Sequence, residues 1–293
     1  MALAGCAFVA APRHPRPVLP TRAIVAATPL GTPELAGFES RGEHRWHGTL
    51  RGDGETVLFE LWSERDPAAP RPLVLLVPML AGGEGIMDYV ADTMFDRGFD
   101  VALCARAGSA MRAGQRSADL QELFRRTVLH QRLVLAWLRG TDAGRGQFVL
   151  GISLGGMVAT AVAAQEPELA GAAICLAGGD LPSLVPKSSE SRVRRWLEWR
   201  LTTDGVGVDH IRWELRQQLA YEPLALARAV ATDKVLFVSA DFDDVVPAAN
   251  QDLLWEALGR PERMFVPFGH YTAALAIGPI LSAAADHFAA RCR

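Results

Sequence analysis

Gly151-Ile152-Ser153-Leu154-Gly155 sets a serine two residues from a glycine on either side, and Gly156 follows. A serine hydroxyl can attack an acyl carbonyl when a neighbouring base takes its proton and an acid holds that base in place. The surroundings of the motif make this chemistry specific. Phe148-Val149-Leu150 reads as a strand and Gly156 to Gln165 as a helix, so Ser153 falls in a sharp strand-to-helix turn. Side chains at 151 and 155 would collide in such a turn, which is why glycine stands at both. The helix N-terminus also presents the Leu154 N–H where an oxyanion would develop.

In this arrangement the acid and then the histidine follow the serine along the chain. His14, His44, His47 and His130 precede Ser153, and His210 lies inside a long insertion. His287 is expected to face outward late in the last helix. That leaves His270, which follows Phe268-Gly269 directly beyond the last apolar run, as the expected base. The acid is expected after the run Val235 to Ser239, where Asp241, Asp243 and Asp244 compete. Asp180, after an earlier run, is a fourth carboxylate that serves only if the usual location fails.

The elements that would position these groups are legible as alternating runs. Leu73 to Val77 is continuously apolar, as a strand covered on both faces must be. Similar runs occur at Val101 to Ala105, Phe148 to Ile152, Ala172 to Ala177, Val235 to Ser239 and Met264 to Val266. Helices are predicted between them at Met87 to Arg97, Ala118 to Arg139, Gly155 to Gln165, Ala248 to Leu258 and Tyr271 to Ala290. Trp46 to Leu50 and Thr56 to Trp62 read as a strand pair joined by Arg51-Gly52-Asp53-Gly54. The fold class is therefore α/β, a mostly parallel sheet flanked by helices.

Pro182 to Glu222 interrupts this rhythm and is expected to form a two-helix cap at about 181–222 over the site. It carries Trp196, Trp199 and Trp213, too much aromatic surface for a solvated loop. At least one of the three is expected to line the acyl or alcohol pocket above Ser153. Arg192, Arg194, Arg195, Arg200, Arg212 and Arg216 make the solvent face of the same segment basic.

With these residues in view the chain resembles the α/β-hydrolase superfamily, over about residues 45–293. Asp243-Asp244-Val245-Val246-Pro247 is similar to the D-x-x-V-P pattern that carries the family's acid, and Phe268-Gly269-His270 to its G-H. The resemblance implies a triad of Ser153, Asp243 and His270, with Asp243 orienting the imidazole and Asp241 as the runner-up. Many members place H-G after the strand at 73–77, where this chain has Pro78-Met79-Leu80-Ala81-Gly82-Gly83. By position, Leu80 N–H is the expected second oxyanion donor beside Leu154 N–H, with Met79 as the alternative.

The expected activity is that of a serine hydrolase cleaving a carboxylic ester through an acyl-enzyme. Acyltransferase, thioesterase or peptidase chemistry on the same triad, and a non-catalytic binding module, are the alternatives. A small-molecule acyl compound is the expected substrate.

Composition narrows the partners. The chain has 293 residues, 30 basic and 33 acidic side chains, a net charge of −3 and 49 % hydrophobic residues. That balance, without a basic tract, argues against nucleic acid and against a disordered chain. No dinucleotide fingerprint, phosphate-binding G-K-[ST] or H-E-x-x-H is present, so no cofactor and no metal are expected. No run approaches the roughly 20 apolar residues of a membrane span. Cys104 and Cys175 lie in apolar runs and are expected to be buried and inert; Cys6 and Cys292 complete a set that fits no zinc spacing.

Residues 1–38 read as a Pro/Ala-rich arm, with six of the 18 prolines before residue 36, and the folded domain as 39–293. Leu3-Ala4-Gly5-Cys6 resembles a lipobox, but only Met1 and Ala2 precede it. A cytoplasmic location is expected of the chain as written, and a cell-envelope lipoprotein through Cys6 if the true start lies upstream.

Overall fold

The computed structural model describes residues 29–64, 70–80, 84–141 and 145–292. The lipobox-like motif with Cys6, and the arm up to residue 28, lie outside the described residues. The strands β1 (Glu34–Ser40), β2 (Arg45–Gly52) and β3 (Glu55–Trp62) run antiparallel to one another. Asp53 and Gly54, at φ of 48° and 77°, form the two-residue turn that sets Gly52 opposite Glu55. Five residues that the sequence assigned to the arm, Glu34 to Phe38, thus belong to β1. The strand is mostly exposed, so alternation could not reveal it; what holds it is Phe38, stacked on Trp46 at 5.3 Å.

The apolar runs become β4 (Leu73–Val77), β5 (Asp100–Cys104), β6 (Gln147–Ile152), β7 (Gly171–Cys175), β8 (Val235–Ala240) and β9 (Glu262–Val266). The nine strands form one sheet in the order β1-β2-β3-β5-β4-β6-β7-β8-β9, parallel from β5 to β9. The order reverses at β4, which has β5 on one side and β6 on the other, and ligands in such sheets bind beyond the strand ends at this point. All five β4 side chains are buried, and they alternate between two cores. Leu73, Leu75 and Val77 face one, Val74 and Leu76 the other. Each such burial contributes roughly 1.5–3 kcal/mol.

The helices are α1 (Glu84–Asp96), α2 (Ser117–Thr141), α3 (Leu154–Gln165), α4 (Leu181–Leu184), α5 (Ser191–Thr202), α6 (Val208–Gln218), α7 (Pro223–Ala227), α8 (Ala248–Ala257) and α9 (Ile277–Ala289). Helices α1 and α9 cover one face of the sheet; α2, α3, α7 and α8 cover the other, beneath the cap formed by α4, α5 and α6. The last helix is shorter than its sequence pattern. Thr272–Ala276 is a 3-10 turn, and α9 starts at Ile277 with Pro279 in its first turn, where a missing N–H does no harm.

Thr272–Ala289 has the length and apolar content to cross a membrane, with a mean hydropathy of 1.2. Here Ile280, Leu281, Ala284 and Phe288 pack into the core, so its apolarity is that of a covering helix. His287 is buried as well, contrary to the outward position expected of it. Its Nε2 lies 3.1 Å from the Lys234 carbonyl, a partner at the far end of a loop that helical spacing cannot show.

Candidate active site

Strand β6 ends at Ile152 and α3 begins at Leu154, so a single residue turns the corner. Ser153 does so at φ 59° and ψ −123°, a conformation costing about 1–3 kcal/mol that the surrounding structure must hold. The crowding is measurable. A Cβ on Gly151 would lie 2.1 Å from the Gly155 carbonyl oxygen, and one on Gly155 2.3 Å from that of Val77. Gly156 is equally constrained, because its Cβ would meet the Ala177 side chain at 2.8 Å. Met157 N–H makes the first helical bond, to Ser153 O at 3.1 Å, which leaves Leu154 N–H outside the helix's own bonding.

Two loops bring the partners to Ser153. The loop after β9 places His270 Nε2 2.8 Å from Ser153 Oγ. The loop after β8 places Asp243 Oδ2 2.7 Å from His270 Nδ1. The other carboxylate oxygen, Oδ1, accepts the N–H groups of Val245 (3.0 Å) and Val246 (2.7 Å), and the Asp243 side chain is fully buried. Among the four candidate carboxylates only Asp243 meets the imidazole. Asp241 and Asp244 are exposed, and Asp180 occupies a left-handed position (φ 56°) ahead of α4. Asp243 and His270 are 27 residues apart and each stands beyond the carboxyl end of its strand, which is why the pattern could be read in one dimension.

The space in front of Ser153 is a small apolar cavity of about 60 Å³. Ser153, Leu154 and Leu80 line one side; Leu184, Val193, Leu215 and Leu219 close it from the cap. The three tryptophans take other places. Trp196 is fully buried, its Nε1–H donating to Gln115 O at 2.8 Å, and so fastens the cap to the loop before α2. Trp199 is half-buried, and Trp213 is 56 % exposed with its ring 5.7 Å from that of His210. None of them lines the cavity. For Trp213 the reason is helical register. On α6, Ile211 and Leu215 point inward, and a residue two along from Ile211 must point away. A larger cleft of about 1020 Å³ runs past Met79 and Arg106 along β2 and β3.

Arg106, Glu190 and Glu222, which the sequence does not single out, and Arg192, expected on the basic solvent face, hold the loops and the cap around the site. Arg106, just beyond β5, donates to Met79 O at 2.8 Å and to Leu80 O at 3.3 Å, while Arg192 of α5 donates to Leu80 O at 2.9 Å. Burial, and then the Arg192 charge, lower the Arg106 pKa. Glu190 caps α5 through Val193 N–H (2.8 Å) at the cavity edge, and its charge is among those that hold the Tyr271 phenol up, after burial. Glu222 accepts N–H bonds from Leu181 (3.3 Å) and Ala225 (3.3 Å), tying together the two ends of the cap. Burial above all pushes its pKa up to about 7, with the Asp180 charge adding to the rise. Cys104 and Cys175 are buried, and burial raises both thiols. Among the described residues no three His, Cys, Asp or Glu side chains are grouped to hold a metal ion.

No family model matches the sequence. A thermostable monoacylglycerol lipase of Bacillus sp. (strain H-257) is 27 % identical over 218 residues, 66 % of this chain and 79 % of that protein. Among solved structures, a cold-adapted esterase from an Arctic intertidal metagenomic library superposes with a TM-score of 0.61 at 18 % identity, covering 89 % of this chain and 100 % of that one. The 2,6-dihydroxy-pseudo-oxynicotine hydrolase gives 0.62 at 21 %, over 84 % and 67 % of the two chains. A thermostable carboxyl esterase from Bacillus coagulans gives 0.61 at 12 %, over 86 % and 100 %.

Proposed function

We propose, from the α/β-hydrolase fold that this chain has, that it is a serine hydrolase cleaving a carboxylic ester through an acyl-enzyme. The observation that carries the reading is the unbroken chain Ser153 Oγ, His270 Nε2, His270 Nδ1, Asp243 Oδ2, with links of 2.8 and 2.7 Å. Neutral His270 accepts the hydroxyl proton as Ser153 Oγ bonds to the carbonyl carbon, and it returns that proton to the departing alcohol oxygen. Asp243, unable to turn because Val245 and Val246 hold its second oxygen, keeps the Nδ1 proton in place and stabilises the imidazolium. The Leu154 and Leu80 N–H groups hold the oxyanion. Water activated by the same histidine then attacks the acyl-Ser153 carbonyl and frees the acid.

The apolar cavity supports an aliphatic acyl group, and the similarity to a monoacylglycerol lipase and to esterases supports an oxygen ester over an amide. Treatment with a fluorophosphonate probe together with a panel of p-nitrophenyl esters tests the reading. Wild type is expected to label and to turn over esters, and Ser153→Ala to do neither. An unlabelled wild type that is inert across the panel would discard it.

A further inference from the structure

The loop beyond β4 lies between two strand ends, and its backbone is gripped from one side. Arg106 stands beyond the end of β5, and Ser153 beyond the end of β6; β4 runs between them. Arg106 Nη1 holds Met79 O at 2.8 Å. In a trans peptide the C=O and the following N–H point in opposite directions, so a carbonyl turned towards β5 turns the Leu80 N–H towards β6. The same loop abuts the serine corner, since a Cβ on Gly155 would lie 2.3 Å from Val77 O and 3.2 Å from Pro78 O. Leu80, Ser153 and Leu154 also share the cavity wall.

The next peptide is held from the cap. Leu80 O takes Arg192 Nη1 at 2.9 Å, a contact spanning 112 residues. Among the described residues neither guanidinium has a carboxylate partner; Arg106 gives its bonded donor to the Met79 carbonyl and, at 3.3 Å, to that of Leu80, and Arg192 gives its own to Leu80 O. A charged donor on a half-buried carbonyl is a stronger constraint than a neutral hydrogen bond.

We propose that Arg106 and Arg192 are positioning residues for ester hydrolysis: together they clamp the Met79 and Leu80 carbonyls so that the Leu80 N–H faces the oxyanion formed at Ser153. The inference rests on the hydrolase reading above and makes Leu80, not Met79, the second donor. It also gives the cap a role beyond shaping the cavity, because α5 reaches the oxyanion loop through Arg192. Both arginines act through the peptide they hold.

The test compares kcat and KM of full-length wild type, Arg106→Met, Arg192→Met, the double variant and Arg106→Lys on p-nitrophenyl butyrate, with thermal unfolding of each. Deleting one oxyanion donor costs about 10²–10³ in kcat, and a donor left present but poorly aimed should lose less. Arg106→Met is expected to drop kcat by roughly 10- to 100-fold with KM within about threefold, since the interaction exists only in the transition state. Affinity for butylboronic acid, which becomes tetrahedral on the serine, should fall by the same factor. Arg106→Lys, which can still give one bond to Met79 O, should recover most of the loss. The double variant should lose less than the product of the two single losses, because both hold one loop.

Unchanged kcat in Arg106→Met or Arg192→Met would overturn the proposal, whether or not the melting temperature falls. So would a raised KM at constant kcat, which would make the arginines substrate-binding groups. Should Arg106→Met fail to fold, Arg192→Met, which removes the second contact on the same loop, carries the comparison. A wild type that neither labels with fluorophosphonate nor cleaves esters would instead strike the hydrolase reading, a different result from active wild type with indifferent arginines.

Discussion

Asp243→Asn separates chemistry from folding at this site. In the native side chain Oδ1 accepts two backbone N–H bonds, at 3.0 and 2.7 Å, while Oδ2 faces His270 Nδ1 at 2.7 Å. Asparagine keeps those backbone bonds only by placing its single oxygen at the Oδ1 position. Its NH2 group then faces Nδ1, which must become the acceptor, so the imidazole proton moves to Nε2. That proton points at Ser153 Oγ, where a lone pair is needed to take the hydroxyl proton. The base is lost with hardly an atom moved. Loss of the correct tautomer costs about four decades in kcat, or roughly 5–6 kcal/mol of transition-state stabilisation. The fold should scarcely notice, since both backbone donors stay paired. Asp243→Ala provides the contrast, because it strands two buried N–H groups at about 1–3 kcal/mol each and lowers the melting temperature as well. Steady-state kinetics on a p-nitrophenyl ester, with thermal unfolding of both variants, gives the answer. An Asp243→Asn enzyme retaining a tenth of wild-type kcat/KM refutes the tautomer argument, and a dead Asp241→Asn beside it would move the acid to Asp241.

Three further outcomes follow from the same structure. The cavity in front of Ser153 is small and closed by cap side chains, so kcat/KM for p-nitrophenyl esters should peak at short acyl chains and fall towards longer ones; a steady rise to dodecanoate contradicts that limit. Trp196→Ala, which empties a fully buried site, should lose about 3–5 kcal/mol of stability, whereas Trp213→Ala should stay within about 1 kcal/mol, both with unchanged substrate ranking; a shift in ranking by either restores the tryptophans to the pocket. Glu222 has a folded pKa of about 7 against an ordinary value of 4.5, so the native state takes up a proton that the unfolded chain releases, and this contribution to stability is present at low pH and lost as pH rises through 7. Glu222→Gln should therefore flatten the decline in melting temperature between pH 5 and 8, and an identical slope in both proteins argues against a buried proton there.

The parts of the site that the sequence displayed are those whose constraints are local. Gly151, Gly155 and Gly156 are dictated by contacts of 2.1–2.8 Å around one turn, so their types alone mark it. Strands β4 and β6 are buried along their whole length and read as apolar runs. The strand β1 offered no such signal, being exposed on nearly every residue and held by an aromatic stack. Tryptophan composition misled for a related reason. A large apolar side chain must be covered, but composition does not say by what, and Trp196 is covered by the loop before α2 rather than by a substrate.

Arg106 and Arg192 were hidden by a different kind of distance. The partners of each are backbone carbonyls, which every residue carries, so no pairing of residue types announces the contact, and 112 positions separate Arg192 from Leu80. Their neighbourhood was nonetheless accessible. Arg106 stands two residues beyond β5, and the residues just past the carboxyl ends of β4, β5, β6, β8 and β9 are those that converge on the site. Sheet order supplies what residue type cannot. With β4 between β5 and β6, a donor beyond β5 and a nucleophile beyond β6 must face opposite edges of whatever peptide lies beyond β4, and a planar trans peptide has one polar group for each edge. The carbonyl goes to the arginine, and the N–H is the group we assign to the serine.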